Sequence, residues 1–397
     1  MTRIFQSSKS LEGRTIVLGI TGSIAAVKCI ELAREFMRHG ACVHAVMSRE
    51  AQKIIHPEAM RYATGNKVIT EITGDVEHVE FCGLGGKADL LLIAPCTANT
   101  IGKIAHGIDD TAVTTFATTA FSSGIPIMIV PAMHETMYNN PMVIENIGKL
   151  NQLGIEFINP SMEEGAAKIA EKEEIVLRVE RALGKKTLAG KRILITGGAT
   201  AEKIDPVRIL TNRASGRTGI ELALEAFRRG AEVTLVHRGC IGLQGICEFD
   251  VESAKDMRET VIQELGNGYD LLISAAAISD FTVAAFENKI KSDKEITLTL
   301  KPAPKLIKEA RLRFPELRIA GFKAETGVTE EELIRRAQDS MQASDLGFVV
   351  ANDVARGGMG TEENDVYIID HEVRHVSGTK RMIAEEIMDK VERILEK

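Results

Sequence analysis

The sequence predicts an α/β protein made of two doubly wound domains in succession. Short apolar runs alternate with helical periods along the whole chain, the pattern of parallel strands covered by helices. That pattern also starts twice. "LEGRTIVLGITGS" (11–23) and "LAGKRILITGGAT" (188–200) each carry a leucine, a glycine, a basic residue, an apolar run and a Thr-Gly turn. At about 100–200 residues per domain, the 397 residues hold two such units, each able to bury its own core.

In the first unit the apolar runs 14–20, 42–48, 89–95, 126–131 and 155–159 read as short buried strands. The stretch 24–40 between the first two has a helical apolar stripe that stops at Gly40. A lysine-rich passage, "VERALGKKTLAGK" (179–191), interrupts the alternation and sets domains of 1–186 and 187–397. The second unit restarts at 192–196 and continues with a helix over 216–230 and strands at 231–237, 269–277, 317–322, 346–352 and 365–370. A final helix runs from about Lys380. The two openings then part company. About three residues separate the first strand from its helix, whereas the second inserts the long polar loop 197–216. One architecture is thus used twice for different purposes.

Composition narrows the purposes. A net charge of −7, with 44% hydrophobic and 26% charged residues, describes an ordinary soluble chain with an acidic surface. Such a surface argues against nucleic acid and leaves any anionic ligand to local basic groups. Aromatics are 4% and tryptophan is absent, so little is available for stacking bases. "MTRIFQSSKS" is too short and polar for a signal peptide, and no run approaches the roughly 20 apolar residues of a membrane span. The expectation is a cytoplasmic protein without a membrane partner. Six cysteines without a C-x-x-C pair suggest neither disulfides nor zinc and read as small buried hydrophobes.

Two loops of the first unit share one sheet edge. Gly22 and Ser23 follow a strand at a helix start, where free N–H groups and the helix dipole favour a phosphate. Thr97, Asn99 and Thr100 open the helix after the 89–95 strand. Each reads equally well as ordinary capping, but ligands of doubly wound sheets gather where such loops meet. His78 in "DVEHVEF" (75–81) lies in a polar segment between them, and "PAMHETM" (131–137) follows the fourth run.

Together these stretches resemble the flavin-dependent cysteine decarboxylases, which bind FMN. The resemblance implies an FMN site at Gly22, Ser23, Ser48, Thr97, Asn99, Thr100 and Met133. It implies oxidation of a substrate thiol to a thioaldehyde, loss of CO₂ to give an ene-thiol, and His78 as base or orienting group, its ordinary pKa near 6.5 suiting neutral pH. Two positions depart from the family. The Asn of its Pro-Ala-Met-Asn-x-x-Met loop is His134, whose ring N–H can still donate to a carboxylate. The cysteine of its mobile Ala-Cys-Gly loop is Ser161, in "NPSMEEGAAKIAEKEEI" (159–175), with Lys168 at the place of the loop's arginine. A hydroxyl is a far weaker acid than a thiol. Lys168, Glu163, Glu164 or a water is left to supply the final proton.

In the second unit, "GGATAEKIDPVRILTNRASGRTG" (197–219) ends in Ser215-Gly216 at a helix start and lacks the G-x-G-x-x-G dinucleotide spacing. "SAAAISDF" (274–281) ends a strand in small residues, and Lys289, Lys291, Lys301 and Lys305 lie within a short span that also reads as solvated surface. With "GFKAET" (321–326) and "ANDV" (351–354), this order resembles phosphopantothenate–cysteine ligases. Both halves together are similar to bifunctional coenzyme A biosynthesis enzymes.

That resemblance implies nucleotide activation of a carboxylate, with CTP and Mg²⁺, followed by attack of cysteine's amine. Asn212 and Lys289 would act on the acyl intermediate and the phosphates. Ser215, Ala275, Ala276, Asp280, Pro304, Lys305, Leu306, Ile307 and Phe322 would bind nucleotide and substrate; the metal ligands are not specified. Two family lysines fall at Gln338 and Gln342, leaving Arg335 or Arg336 to compensate. The implied partners are 4'-phosphopantothenate, cysteine and CTP. The implied assembly is a homo-oligomer with trimer contacts in the first domain and dimer contacts in the second, up to a dodecamer. Two other readings are a flavin-binding regulator, or a ligase whose decarboxylase domain is inactive; a nicotinamide oxidoreductase is opposed by the missing fingerprint.

Overall fold

The computed structural model describes residues 8–163, 165–291, 295–355, 360–361 and 363–396. Glu164 and the side chain of Glu163, two of the candidate proton donors, lie outside what is described. The chain divides into two compact units, Met1–Gly184 and Lys185–Lys397.

The first unit contains β1 (Thr15–Ile20), β2 (Cys42–Met47), β3 (Leu90–Cys96), β4 (Ile127–Pro131), β5 (Met133–His134), β6 (Glu156–Phe157), β7 (Ser161–Glu163) and β8 (Ala166–Lys168). Its helices are α1 (Cys29–Arg38), α2 (Pro57–Thr64), α3 (Glu77–Cys82), α4 (Ala98–Ala105), α5 (Ala112–Ser123), α6 (Glu135–Tyr138), α7 (Pro141–Gln152) and α8 (Lys172–Leu183). Five strands form one parallel sheet in the order β2-β1-β3-β4-β6. Successive side chains leave opposite faces of a strand. Ile16, Leu18, Leu90 and Leu92 therefore enter the core on one side, while Val17, Leu91 and Ile93 enter the core on the other. Every residue of β3 is buried, which explains its unbroken apolar run.

The predicted helix over 24–40 is two pieces. Ile24–Lys28 is a 3₁₀ turn and α1 starts at Cys29. Ile24 and Val27 do not join the apolar stripe; they are 77% and 52% exposed.

The second unit contains β9 (Arg192–Thr196), β10 (Ala201–Lys203), β11 (Ile209–Thr211), β12 (Glu232–His237), β13 (Ile246–Asp250), β14 (Leu271–Ser274), β15 (Phe281–Val283), β16 (Leu300–Pro302), β17 (Arg318–Glu325), β18 (Phe348–Asp353), β19 (Glu363–Ile369) and β20 (Val373–Thr379). Its helices are α9 (Arg217–Arg228), α10 (Ala254–Leu265), α11 (Leu306–Arg313), α12 (Glu330–Ser344) and α13 (Lys380–Leu395). The main sheet runs β13-β12-β9-β14-β17-β18-β19-β20. It is parallel as far as β18, and β19 and β20 return antiparallel.

The expected long polar loop after β9 holds a hairpin, with Ala201 to Lys203 paired against Thr211 to Ile209. The predicted strand 269–277 is confined to Leu271–Ser274; the chain bends at Ala276, and Ala277 makes an isolated parallel bridge to Ala199. The cysteines also differ from expectation. Cys29, Cys82 and Cys96 are buried, with burial pushing the Cys82 thiol up to about 12, but Cys42, Cys240 and Cys247 are exposed.

Candidate functional site

Strand order reverses between β1 and β3, because β2 lies on one side of β1 and the later strands lie on the other. Crevices open beyond the carboxyl ends of strands at such a point. Thr21, only 1% exposed, directly follows β1 there. Its hydroxyl donates to the Pro95 carbonyl at 2.8 Å and accepts from the Thr97 amide at 3.0 Å, so the two loop starts are held together. Gly22 follows, and a Cβ on it would lie 2.4 Å from Cβ of Glu50, so only glycine fits between the β1 and β2 loops. Ser23 caps the 3₁₀ turn by accepting from the Ala25 amide. Ser48, buried at the end of β2, accepts from Ala51 N–H at 3.2 Å.

Thr97 caps α4 by accepting from the Thr100 amide, and Thr100 is buried while Asn99 is exposed on the same turn. Ser23, Ser48, Thr97 and Asn99 thus share one edge of the sheet. The cradle suits a phosphate group: a helical start with free amides, small hydroxyl side chains and a glycine that nothing larger replaces.

His78 comes from a different element. α3 is pinned through Phe81 and Cys82 in the core and through Glu77, which accepts from the Thr73 hydroxyl at 2.7 Å and its amide at 3.0 Å. Those hydrogen bonds hold the Glu77 carboxyl below its ordinary range. The next residue, His78, has a buried Nδ1 without a hydrogen-bond partner among the described residues. An unsatisfied buried ring nitrogen is costly unless a ligand or water completes it.

A small sheet, β5-β8-β7, gathers the remaining predicted residues of this unit. His134 is opposite Ala166, Met133 opposite Ala167 and Ser161 opposite Lys168. Facing residues in antiparallel strands point the same way, as do residues two apart. His134, Ser161 and Lys168 consequently share one face, and Met133, Met162 and Ala167 share the other. The sequence reading of 159–175 as a loop missed this hairpin.

In the second unit the strand order reverses between β9 and β14. A cleft of about 430 Å³ opens there, lined by Asn212, Ser215, Ala275, Ala276, Asp280, Lys305 and Phe322 among others. Its floor is built by backbone. Thr196 Oγ1 accepts from Ala276 N–H at 3.2 Å, Thr200 Oγ1 accepts from Ser279 N–H at 2.9 Å, and Asn212 Nδ2 donates to the Ala277 carbonyl at 3.1 Å.

Glycines set the height of this floor. A Cβ on Gly219 would be 2.6 Å from Gly197 Cα, and one on Gly216, at φ 79°, would be 2.8 Å from Gly198 Cα. The glycines of a dinucleotide turn are therefore together in space although their spacing along the chain is not that of the fingerprint.

Lys305 is ion-paired with Asp280 at the rim. Lys289 is exposed and absent from the cleft lining, on a loop tied down one residue later. Asp205 Oδ2 accepts from the Ile290 amide at 3.1 Å, and Oδ1 accepts from the Val207 and Arg208 amides at 2.7 Å each. Burial pushes the Asp205 carboxyl up, but these amides and the Arg208 guanidinium outweigh it and hold it well below the carboxylate range.

Pro304 is exposed, the Leu306 side chain is in the core and Ile307 packs against that core, so none of the three side chains lines the cleft. Gln338 and Gln342 lie on α12 and do not line it either. Arg335 is engaged by Glu332 and Asp339, and Arg336 by Glu332 and Glu325. The two guanidiniums hold the Glu332 carboxyl down to about 2, so the helix face is internally neutralised. Sequence reasoning missed Lys323, Asn352, Asn364 and Lys380 in the lining. Only the fold brings these separate segments to one place.

Among the described residues no His, Cys, Asp and Glu cluster could hold a metal ion, and no helix is long and apolar enough to cross a membrane. Residues 4–184 match the Flavoprotein family model, and residues 188–395 match that of the DNA/pantothenate metabolism flavoprotein C-terminal domain. The chain is 52% identical over 394 residues to the coenzyme A biosynthesis bifunctional protein CoaBC of Thermococcus kodakarensis, covering 98% of this chain and 97% of the relative. It is 41% identical to the namesake from Methanocaldococcus jannaschii, covering 99% and 98%, and 35% identical to that of Bacillus subtilis, covering 88% of each. These near full-length likenesses, with one matched domain in each unit, give one conclusion: the chain belongs to the bifunctional coenzyme A biosynthesis protein family.

Proposed function

We propose that the chain catalyses two consecutive steps of coenzyme A biosynthesis, one in each unit. The second unit joins 4'-phosphopantothenate to cysteine using CTP with Mg²⁺. The first decarboxylates the resulting 4'-phosphopantothenoylcysteine to 4'-phosphopantetheine with FMN. The observation that carries the reading is the cleft at β9 and β14, with Asn212, Asp280 and Phe322 around a glycine floor.

In the ligase step a substrate carboxylate oxygen attacks the α-phosphorus of CTP and pyrophosphate leaves. The amine of cysteine then attacks the acyl carbon, forming the amide and releasing CMP. Asn212 orients the acyl group, while Ser215 and the backbone of Ala275 and Ala276 approach the ligands closely. Asp280 and Phe322 bound the cytidine, Lys305 exchanges Asp280 for a ligand anion, and Lys289 neutralises phosphate charge. The Pro304–Ile307 segment contributes through its backbone. Mg²⁺ arrives with the nucleotide and offsets its charge.

In the decarboxylase step, bound FMN supplies the two-electron oxidation and later reduction of the substrate's thiol-bearing carbon. Gly22, Ser23, Ser48, Thr97, Asn99, Thr100 and Met133 form its cradle. The unpaired Nδ1 of His78 supports a role in holding or moving a proton. His134 donates a ring N–H to the departing carboxylate, and Lys168 beside Ser161 supplies the proton that a loop cysteine would otherwise give.

Near full-length likeness to bifunctional relatives favours two active units over a flavin-binding regulator. The exposed Ile24 and Val27 beside the Gly22 turn support self-association of the first unit. Exposed Val207, Ile209, Phe281 and Phe286 on the hairpins support it for the second, consistent with trimer and dimer contacts building a dodecamer.

The test is turnover of 4'-phosphopantothenate, cysteine and CTP by purified yellow protein, followed by mass spectrometry. Appearance of 4'-phosphopantetheine supports both steps. Accumulation of phosphopantothenoylcysteine with no CO₂ release removes the decarboxylase, and no CTP-dependent amide formation removes the ligase.

A further inference from the structure

On the ligase reading above, the cleft at β9 and β14 takes in a triphosphate, in a chain whose own net charge is −7. Cations local to the cleft therefore matter more than the charge of the whole. Lys305 is paired with Asp280 at the rim, and Lys289 is absent from the lining. Lys323 does line the cleft, next to Phe322 toward the carboxyl end of β17.

Lys323 and Glu325 are two residues apart on that strand and share a face. Lys323 Nζ lies 3.1 Å from Glu325 Oε1, and the other oxygen of Glu325 is 2.9 Å from Arg336 Nη1 on α12. The pairing continues along the helix from Arg336 to Glu332, from Glu332 to Arg335 and from Arg335 to Asp339. Arg336 and Arg335 each stand between two carboxylates. Lys323 ends the chain instead, on a carboxylate that has a second cation of its own. It is also the one member of the chain that lines the cleft.

Burial pushes the Glu325 carboxyl up, but Lys323 and Arg336 outweigh it and hold it below its ordinary range. With Arg336 in place, the carboxylate stays paired when Lys323 turns away. The Lys323 side chain is 37% exposed against 17% for Glu325, so the ammonium is the mobile partner and a water-facing pair of this kind is weakly held.

We propose that Lys323 is an exchangeable cation of this cleft, which leaves Glu325 to bind the polyphosphate of the nucleotide while Arg336 keeps Glu325 in position. The inference rests on the ligase reading and adds a residue which that reading does not use.

The experiment measures calorimetric affinities of the full FMN-loaded chain for CTP and for cytidine, each with Mg²⁺, in the wild type and in Lys323→Gln, Lys323→Arg and Glu325→Gln. Lys323→Gln should weaken CTP by about 10-fold or more, as loss of a charge-assisted hydrogen bond does, and leave cytidine unchanged. Lys323→Arg should recover most of the CTP affinity. Glu325→Gln removes the carboxylate that competes for the ammonium, so CTP should bind at least as tightly as to the wild type.

Equal CTP affinity in wild type and Lys323→Gln overturns the inference, as does a parallel loss for cytidine. A loss in Glu325→Gln equal to that in Lys323→Gln also overturns it, because Lys323 would then act only by holding Glu325. Wild-type protein that binds no CTP overturns the ligase reading itself. If Lys323→Gln does not fold, a crystal structure of the wild type with CTP decides. Lys323 Nζ within about 3.2 Å of a phosphate oxygen supports the proposal, and a separation beyond hydrogen-bond reach from all of them overturns it.

Discussion

The hydroxyl of Thr21 and the amide of Thr97 are 3.0 Å apart and join the loops after two neighbouring parallel strands. Because the hydroxyl also donates to Pro95, one buried side chain ties the start of the loop after β1 to the end of β3. Thr21→Val keeps the shape and removes both side-chain bonds; the Pro95 carbonyl keeps the Thr21 amide at 3.2 Å, but the Thr97 amide loses its acceptor at a cost of about 1–3 kcal/mol. The expected outcome is weaker FMN retention, read by flavin absorbance after dialysis, with amide formation from CTP unchanged. Full flavin occupancy in the variant would show that the bridge does not shape the cradle.

Gly22→Ala acts on the same turn by volume. The new methyl group would meet Cβ of Glu50 at 2.4 Å, so the turn must shift. Purified protein should be colourless or nearly so and should convert its substrates only as far as phosphopantothenoylcysteine. A yellow, fully active variant contradicts the placement of the phosphate at this turn.

His78→Asn separates chemistry from cofactor binding. His78 stands on α3 and is not one of the capping residues Ser23 and Thr97, so FMN should stay bound while decarboxylation falls by about 100-fold or more, the range typical of a lost general base. CO₂ release under single-turnover conditions is the measurement. Retention of most of the rate would remove His78 from the reaction.

Asp205 supplies a prediction about pH. Its folded pKa is depressed, so its contribution to stability is fully present above the unfolded value of about 3.9 and is lost as pH falls below it. The difference in urea midpoint between wild type and Asp205→Asn should be constant from pH 7 to about 5 and shrink in stronger acid. At pH 7 the same variant should lose ligase rate because the loop that carries Lys289 is released at Ile290, and Lys289→Ala should lose it without a change in the urea midpoint. A stability difference that grows toward acid pH would refute the assigned sign.

Much of this architecture was legible where burial is two-sided. β3 and β9 are nearly continuous apolar runs because helices cover both faces of a parallel sheet, and such runs announce themselves. The edges were not legible. β13 and β20 are mixed in burial and carry no such run, so the sequence gives no cue for either. Ile24 and Val27 mimicked a buried stripe because an apolar residue has the same signature whether it faces the core or is left exposed.

The site divides in the same way. Ser23 and Thr97 announce themselves because a cap immediately follows a strand. The Gly197 and Gly219 contact, and the presence of Lys380 in the cleft, depend on returns of the chain that no local pattern encodes.

The Lys305 and Asp280 pair at the cleft rim has one more consequence. Both side chains are more than half exposed, and such pairs contribute about 0–1 kcal/mol. A pair so weakly held can swap partners at little cost as an anion arrives, which leaves the carboxylate free to accept from the incoming molecule. The doorway is self-neutralised while vacant and becomes polarised on arrival. Ionic strength should therefore govern how quickly the nucleotide enters more than how long it stays.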